Sequence, residues 1–68
     1  MKKVRIDTEF IKLDQFLKWT GIADRGSDAK TMINEVNIKV NGQRELKRGR
    51  KLKKGDIIEI GERTFIIE

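Results

Sequence analysis

Four residue types are missing from this chain of 68 residues, and two of these absences remove whole kinds of chemistry. There is no cysteine and no histidine, which excludes disulfide bonds, thiol nucleophiles, imidazole acids or bases and Cys/His zinc sites. Tyrosine and proline are also absent, and Ser27 is the only serine. With 37% hydrophobic residues a modest core is available, so we expect one folded domain over residues 1–68 that uses no cofactor.

Long apolar runs are missing as well. The longest is the three residues Phe65, Ile66 and Ile67, whereas a membrane span needs about 20 apolar residues and a signal peptide about 7–15. The basic residues near the N-terminus alternate with Val4 and Ile6 and are followed by acidic residues, a pattern typical of a strand rather than of a targeting leader. We therefore expect a soluble, cytoplasmic protein that does not bind membranes.

The positive charge of the chain lies in one stretch. Residues 44–54, called here the basic segment, carry seven basic side chains and one acidic side chain, Glu45, for a net charge of +6. The other residues hold nine basic and ten acidic side chains. Clustered Lys and Arg displace counterions from a phosphate backbone, so the segment indicates a polyanionic partner. Taken alone, a basic run is equally compatible with a solvated loop.

Hydrophobic periodicity predicts a strand followed by two helices in the first half of the chain. Residues 3–7 alternate between apolar and polar, as in a half-buried strand. Apolar residues then recur at helical spacing over residues 12–19 and, after a Thr-Gly stop, over residues 25–35. Asp24 and Ser27 are the candidate N-caps of the second helix.

The second half changes to the two-residue period of strands. Asn41-Gly42 is typical of a hairpin turn whose two central residues have positive φ. Strands are expected over residues 38–40, 43–46, 57–60 and 63–67. Glycine-containing turns separate the later strands, and Gly49 interrupts regular structure in the basic segment. These elements predict an α+β domain in which two short helices pack on one face of a small, mostly antiparallel sheet.

Several short motifs, in their order along the chain, resemble the RNA-binding domain named after ribosomal protein S-four. They are KLDQFL at residues 12–17, GIA at 21–23, SDAK at 27–30, IKVNG at 38–42 and KGDII at 54–58. The resemblance spans about residues 11–60. The run from Arg48 to Leu52 is similar to the basic loop of stand-alone members of the YaaA and YbcJ type.

The resemblance implies an alpha-L RNA-binding motif that recognises structured RNA, ribosomal RNA or a ribosomal subunit above all, in ribosome assembly or another ribosome-associated role. It carries RNA contact onto basic residues of the helix corner and of the stretch after the hairpin turn. These are Lys12, Arg25, Lys30, Arg44, Lys47, Arg48, Arg50 and Lys51. Many relatives have Arg where this chain has Gly26, and the sequence leaves open whether Arg25 supplies that contact.

Trp19 lies one residue beyond the apolar stripe of the first helix, where it can either flank the core or offer a stacking face, and we expect it at the edge of the core. With the three phenylalanines also needed for the core, a stacking surface for single-stranded RNA is poorly supported. Structured RNA, read through its backbone geometry, is the favoured polyanion.

Three other functions stay open on the sequence alone. An enzyme would have to use Asp14, Ser27, Asp28, Lys30, Asp56 or Glu59, none of which has partner groups at catalytic spacing, so we expect no activity. Duplex DNA binding is disfavoured because the second helix carries only Arg25 and Lys30 as basic residues, and Asp24, Asp28 and Glu35 oppose them. A protein-interaction or anionic-membrane role for the basic segment has only Leu46 and Leu52 to support it. We therefore expect a monomer that binds structured RNA.

Overall fold

The computed structural model describes residues 1–68, with the surroundings of residue 26 left out. The elements follow one another as β1 (Lys2–Val4), β2 (Ile11–Lys12), α1 (Leu13–Trp19), α2 (Gly26–Glu35), β3 (Ile38–Val40), β4 (Gln43–Arg44), β5 (Lys51–Leu52), β6 (Ile57–Ile60) and β7 (Arg63–Ile67). Both predicted helices and the last two predicted strands are present, and the helix bounds agree with the prediction to within one residue.

Most strands join one mixed sheet. Among the described residues, the order is β1-β7-β6-β3-β4. β1 runs parallel to β7, and the other neighbouring strands are antiparallel. β2 and β5 form a separate antiparallel pair in which Lys12 lies opposite Lys51. The predicted α+β architecture with a mostly antiparallel sheet is confirmed.

The core lies between the two helices and one face of the sheet. Its fully buried large side chains are Leu13, Phe16, Leu17, Ile33, Ile38, Leu52, Ile58 and Ile67. The helical members follow the apolar spacing seen in the sequence, and the strand members alternate with exposed or half-buried residues. The rings of Phe16 and Phe65 meet edge to face with centroids 5.6 Å apart, which joins α1 to the sheet.

The hairpin turn has the predicted geometry, since Asn41 and Gly42 have φ angles of 53° and 84°. The strand before the turn has its predicted bounds, but the strand after it is shorter than expected. β4 ends at Arg44 rather than at Leu46, because after Glu45 donates its N–H to Ile38 O the chain leaves the sheet toward α1.

The first strand is also shorter than predicted, ending at Val4 instead of Asp7. Ile6 is nevertheless buried, as its alternation indicated, and its N–H donates to Glu68 O. The sequence did not predict β2 and β5, because two-residue strands carry no detectable period.

Two local predictions were wrong. The N-cap of α2 is Arg25, and within the described part of the chain neither Asp24 nor Ser27 caps that helix through its side chain. Trp19 does not lie at the core edge, since it is 67% exposed. On a helical wheel it falls on the polar face of α1 with Gln15 and Lys18, away from the buried stripe.

Candidate nucleic-acid interface

The basic segment is fastened to the start of α1 through its backbone. The N–H of Leu13 donates to Arg50 O at 2.9 Å, and the N–H of Asp14 donates to Arg48 O at 3.0 Å. The first amides of a helix have no partner within the helix, and here the segment supplies the acceptors. The backbone that carries Arg48 and Arg50 is therefore held at a fixed position against α1.

Two inward-facing groups anchor the segment. Leu52 is fully buried in the core. The carboxylate of Glu45 turns inward, with its side chain only 13% exposed, and forms an ion pair with Arg50 at 3.1 Å. A second oxygen of this carboxylate accepts from the N–H of Leu46 at 3.2 Å. The single acidic residue of the segment is thus used internally, and the remaining charge at its surface is positive.

The segment and α2 face each other across a shallow groove. It has a volume of about 200 Å³ and is lined by Lys30, Ile33 and Asn34 of α2 together with Leu46 and Arg48. Two of the predicted RNA-binding cations, Lys30 and Arg48, therefore flank one surface depression although they are far apart in the chain.

A second pair of predicted cations meets in the small sheet. Lys12 and Lys51 are register partners of β2 and β5, and the ammonium of Lys51 lies 4.9 Å from the ring centroid of Phe10. This distance is within the range of a cation–π contact. Lys12 is also the N-cap residue of α1, so the pair continues the charged surface from the segment onto the start of the helix.

The remaining predicted residues differ in their surroundings. Lys47 and Arg48 are exposed, and in the described part of the chain neither side chain has a hydrogen-bonded or ionic partner. Arg44 donates to Asn37 Oδ1 at 3.3 Å on the edge strand β4. Arg25 is exposed at the start of α2, and no described contact links it to the basic segment. The question of the RNA contact at position 26, where many relatives have Arg and this chain has Gly26, lies outside the described residues.

The sequence missed one further surface feature. An open groove of about 750 Å³, called here the Trp19 groove, lies between the chain before β2 and the outer face of α1, and its walls include Phe10, Ile11, Lys12, Lys18 and Trp19. The spacing of Gln15, Lys18 and Trp19 placed all three on the polar face of α1. This spacing could have predicted from the sequence that Trp19 is exposed.

The acidic residues considered as catalytic groups have structural roles where their contacts are described. Asp56 accepts hydrogen bonds from Asn41 Nδ2 and from the N–H of Lys53, and Asp14 accepts from the N–H of Gln15. Across the described residues there is no group of three or more acidic side chains arranged to hold a metal ion. Neither described helix has the length and apolar character needed to cross a bilayer.

Comparison with known proteins agrees with the motif resemblance. A family model described as S4 domain matches residues 4–68. The chain is also 44% identical over 57 residues to a protein of Bacillus subtilis (strain 168) whose name reads probable ribosome maturation protein RlbA. That alignment covers 84% of this chain and 80% of the relative.

Proposed function

Because the chain belongs to the S4 domain family, we propose that it is a non-catalytic protein that binds structured ribosomal RNA during maturation of the ribosome. One observation carries the proposal. The basic segment, with a net charge of +6, is held by backbone hydrogen bonds against α1 with its only carboxylate turned inward. The name of the Bacillus relative supports the ribosomal setting.

The exposed cations of the segment supply affinity in this mechanism. Lys47 and Arg48 are free to contact phosphates, and the planar guanidinium of Arg48 can bind two phosphate oxygens at once. Such contacts fix orientation but read no sequence. Binding through them releases counterions, so affinity falls steeply with salt concentration.

Selection comes from the arrangement of the cations. Backbone hydrogen bonds fix the position of the basic segment relative to the start of α1, and Lys30 and Arg48 flank one groove. Positive side chains carried by such a fixed backbone fit one spacing of phosphates better than others. Side chains cannot read the base edges of A-form RNA, because these edges lie in a deep, narrow groove. The protein therefore distinguishes folded RNA from duplex DNA by the spacing of the phosphates and not by the base sequence. We infer that the protein acts in this way as a monomer in the cytoplasm, without a cofactor.

Crosslinking in cells, followed by sequencing of the attached RNA, tests the proposal. The expected result is enrichment of discrete ribosomal RNA positions, strongly reduced by the double substitution Lys47→Ala and Arg48→Ala. The matched control is Lys2→Ala with Arg63→Ala, which removes the same charge from exposed residues of β1 and β7 and should leave the enrichment unchanged. Absence of ribosomal RNA from the crosslinked material would reject the proposal.

A competition experiment addresses duplex DNA. Folded RNA and duplex DNA of equal length are offered to the purified protein, and the RNA is expected to displace the DNA. Preference for the DNA would instead support the rival in which a helix is presented to a DNA groove.

A further inference from the structure

Trp19 is the most exposed aromatic residue of the chain and lies at one end of an open groove. Its side chain is 67% exposed at the last position of α1. Phe10 and Ile11 supply further apolar wall, and Lys12 and Lys18 supply positive charge. The groove, at about 750 Å³, has the size of sites that hold small organic groups.

A flat aromatic face beside two ammonium groups matches the chemistry of a nucleotide. Bases stack on tryptophan whatever their identity, because every base has a π face, and phosphates pair with lysine. The charge is uneven around Trp19. Asp7 lines a smaller cavity that also includes Trp19, but Asp7 is not part of the wall of the Trp19 groove, so a phosphate is favoured beside Lys12 and Lys18.

The Trp19 groove is continuous with the proposed RNA surface. Lys12 lines the groove and is also the register partner of Lys51 in the basic segment. Phe10 has the ammonium of Lys51 over its ring and also forms part of the groove wall. An RNA bound along the segment therefore extends toward Trp19 without leaving the positive surface.

We propose that the Trp19 groove binds one unpaired nucleotide of the RNA that the basic segment holds. The base stacks on the indole of Trp19, and Lys12 and Lys18 contact the flanking phosphates. Bases within an A-form helix are stacked on one another, so only an unpaired base can enter. The inference rests on the proposed function and narrows its substrate to structured RNA with a bulged or otherwise unpaired base next to a helix.

The experiment uses the fact that Trp19 is the only tryptophan of the chain, so its fluorescence reports on this groove alone. The probes are an RNA hairpin with one unpaired adenosine in its stem and the same hairpin fully paired. The bulged RNA is expected to quench the emission and to bind about 5- to 140-fold more tightly than the paired RNA, the range that one base–aromatic stack supplies. The paired RNA should bind with little change in emission.

Variants separate stacking from a general loss of structure. Trp19→Ala should abolish the preference for the bulged hairpin while still binding the paired hairpin, and Trp19→Phe should retain most of the preference. Lys18→Ala should weaken binding of the bulged hairpin, and the matched control Lys2→Ala, also an exposed lysine, should not. An unchanged preference in Trp19→Ala would overturn the inference.

The two proposals fail in distinguishable ways. If the wild-type protein binds neither hairpin, the proposed function fails. If it binds both equally and the emission of Trp19 does not change, RNA binding stands and the nucleotide site is rejected. A third outcome is that ribosomal proteins freed of RNA quench the emission of Trp19 and neither hairpin does. This result would assign the groove to a protein partner and would also overturn the inference.

Discussion

Asn41 and Asp56 form a hydrogen bond that joins two turns lying 15 residues apart in the chain, with Asn41 Nδ2 donating to Asp56 Oδ1 at 3.1 Å. The other oxygen of each side chain is also used. Asn41 Oδ1 accepts from the N–H of Ile57 at 2.9 Å, and Asp56 Oδ2 accepts from the N–H of Lys53 at 2.8 Å. Asn41 precedes the basic segment and Asp56 follows it, so this pair holds both ends of the segment together.

Replacement of Asn41 by alanine should therefore lower the free energy of unfolding by about 1–3 kcal/mol, because two side-chain hydrogen bonds are lost and alanine adopts the φ of 53° less readily. Urea unfolding measures the change. Asn34→Ala, at an exposed position of α2, is the control and should alter stability by less than about 0.5 kcal/mol. Equal stability of the two variants would contradict the role given to Asn41.

The direct contact between the two residues predicts that their substitutions are not additive. In a double-mutant cycle with Asn41→Ala and Asp56→Ala, the coupling energy should be about 0.5–1.5 kcal/mol, the usual net value of one hydrogen bond. Unfolding of the wild type, the two single variants and the double variant supplies the four values. Strict additivity would show that the turns are held independently.

Glu45→Gln should release Arg50 from its ion pair. The cost in stability should stay below about 1 kcal/mol, because the pair is partly exposed and the backbone hydrogen bonds to α1 remain. RNA affinity should rise and its salt dependence should steepen by up to about 0.9 log unit, as expected for one more phosphate contact. Filter binding at several salt concentrations measures both. Weaker binding would mean that Arg50 has to be held by Glu45 to meet the RNA.

Phe16 and Trp19 lie three positions apart on α1 and should respond very differently to alanine. Phe16 is fully buried and packs on Phe65, so Phe16→Ala should cost about 3–5 kcal/mol. Trp19 is mostly exposed, and Trp19→Ala should change stability by less than about 0.5 kcal/mol. Thermal unfolding compares the two variants. A large loss in Trp19→Ala would place that side chain in the core after all.

RNA binding should vary little between about pH 5 and 8, because the chain has no histidine, the residue type whose charge ordinarily changes in this range. Affinity for one RNA, measured at constant ionic strength across the range, tests the expectation. A sharp transition near neutral pH would point to a titrating group outside the proposed surface.

The elements that bury a regular apolar face were predictable from the sequence. Leu13, Phe16 and Leu17 fix α1 by their spacing, and the alternation of residues 57–60 and 63–67 fixes β6 and β7 with their observed bounds. The parallel pairing of β1 with β7 was not predictable, because periodicity assigns a residue to a face and does not choose the neighbouring strand. The pairing of β2 with β5 was not predictable either, because strands of two residues are too short to show an alternation of apolar and polar residues.

The positive charge of the candidate site was predictable from the sequence, but the contacts that each basic side chain makes were not. The sequence located the basic segment and indicated a phosphate partner, yet Arg50 and Arg48 look alike in it. Only the fold distinguishes Arg50, paired with Glu45, from Arg48, which lines the groove beside α2. Trp19 was misplaced because it was compared with the apolar stripe and not with the polar residues that share its face.

The salt dependence of RNA binding tests most directly whether the basic segment is the RNA surface. The logarithm of the affinity is plotted against the logarithm of the salt concentration for the wild type, for Lys47→Ala with Arg48→Ala, and for the control Lys2→Ala with Arg63→Ala. The first double variant should bind more weakly and reduce the slope by about 1.4–1.8, or two phosphate contacts, while the control keeps the wild-type slope. Identical slopes for all three proteins would contradict the assignment.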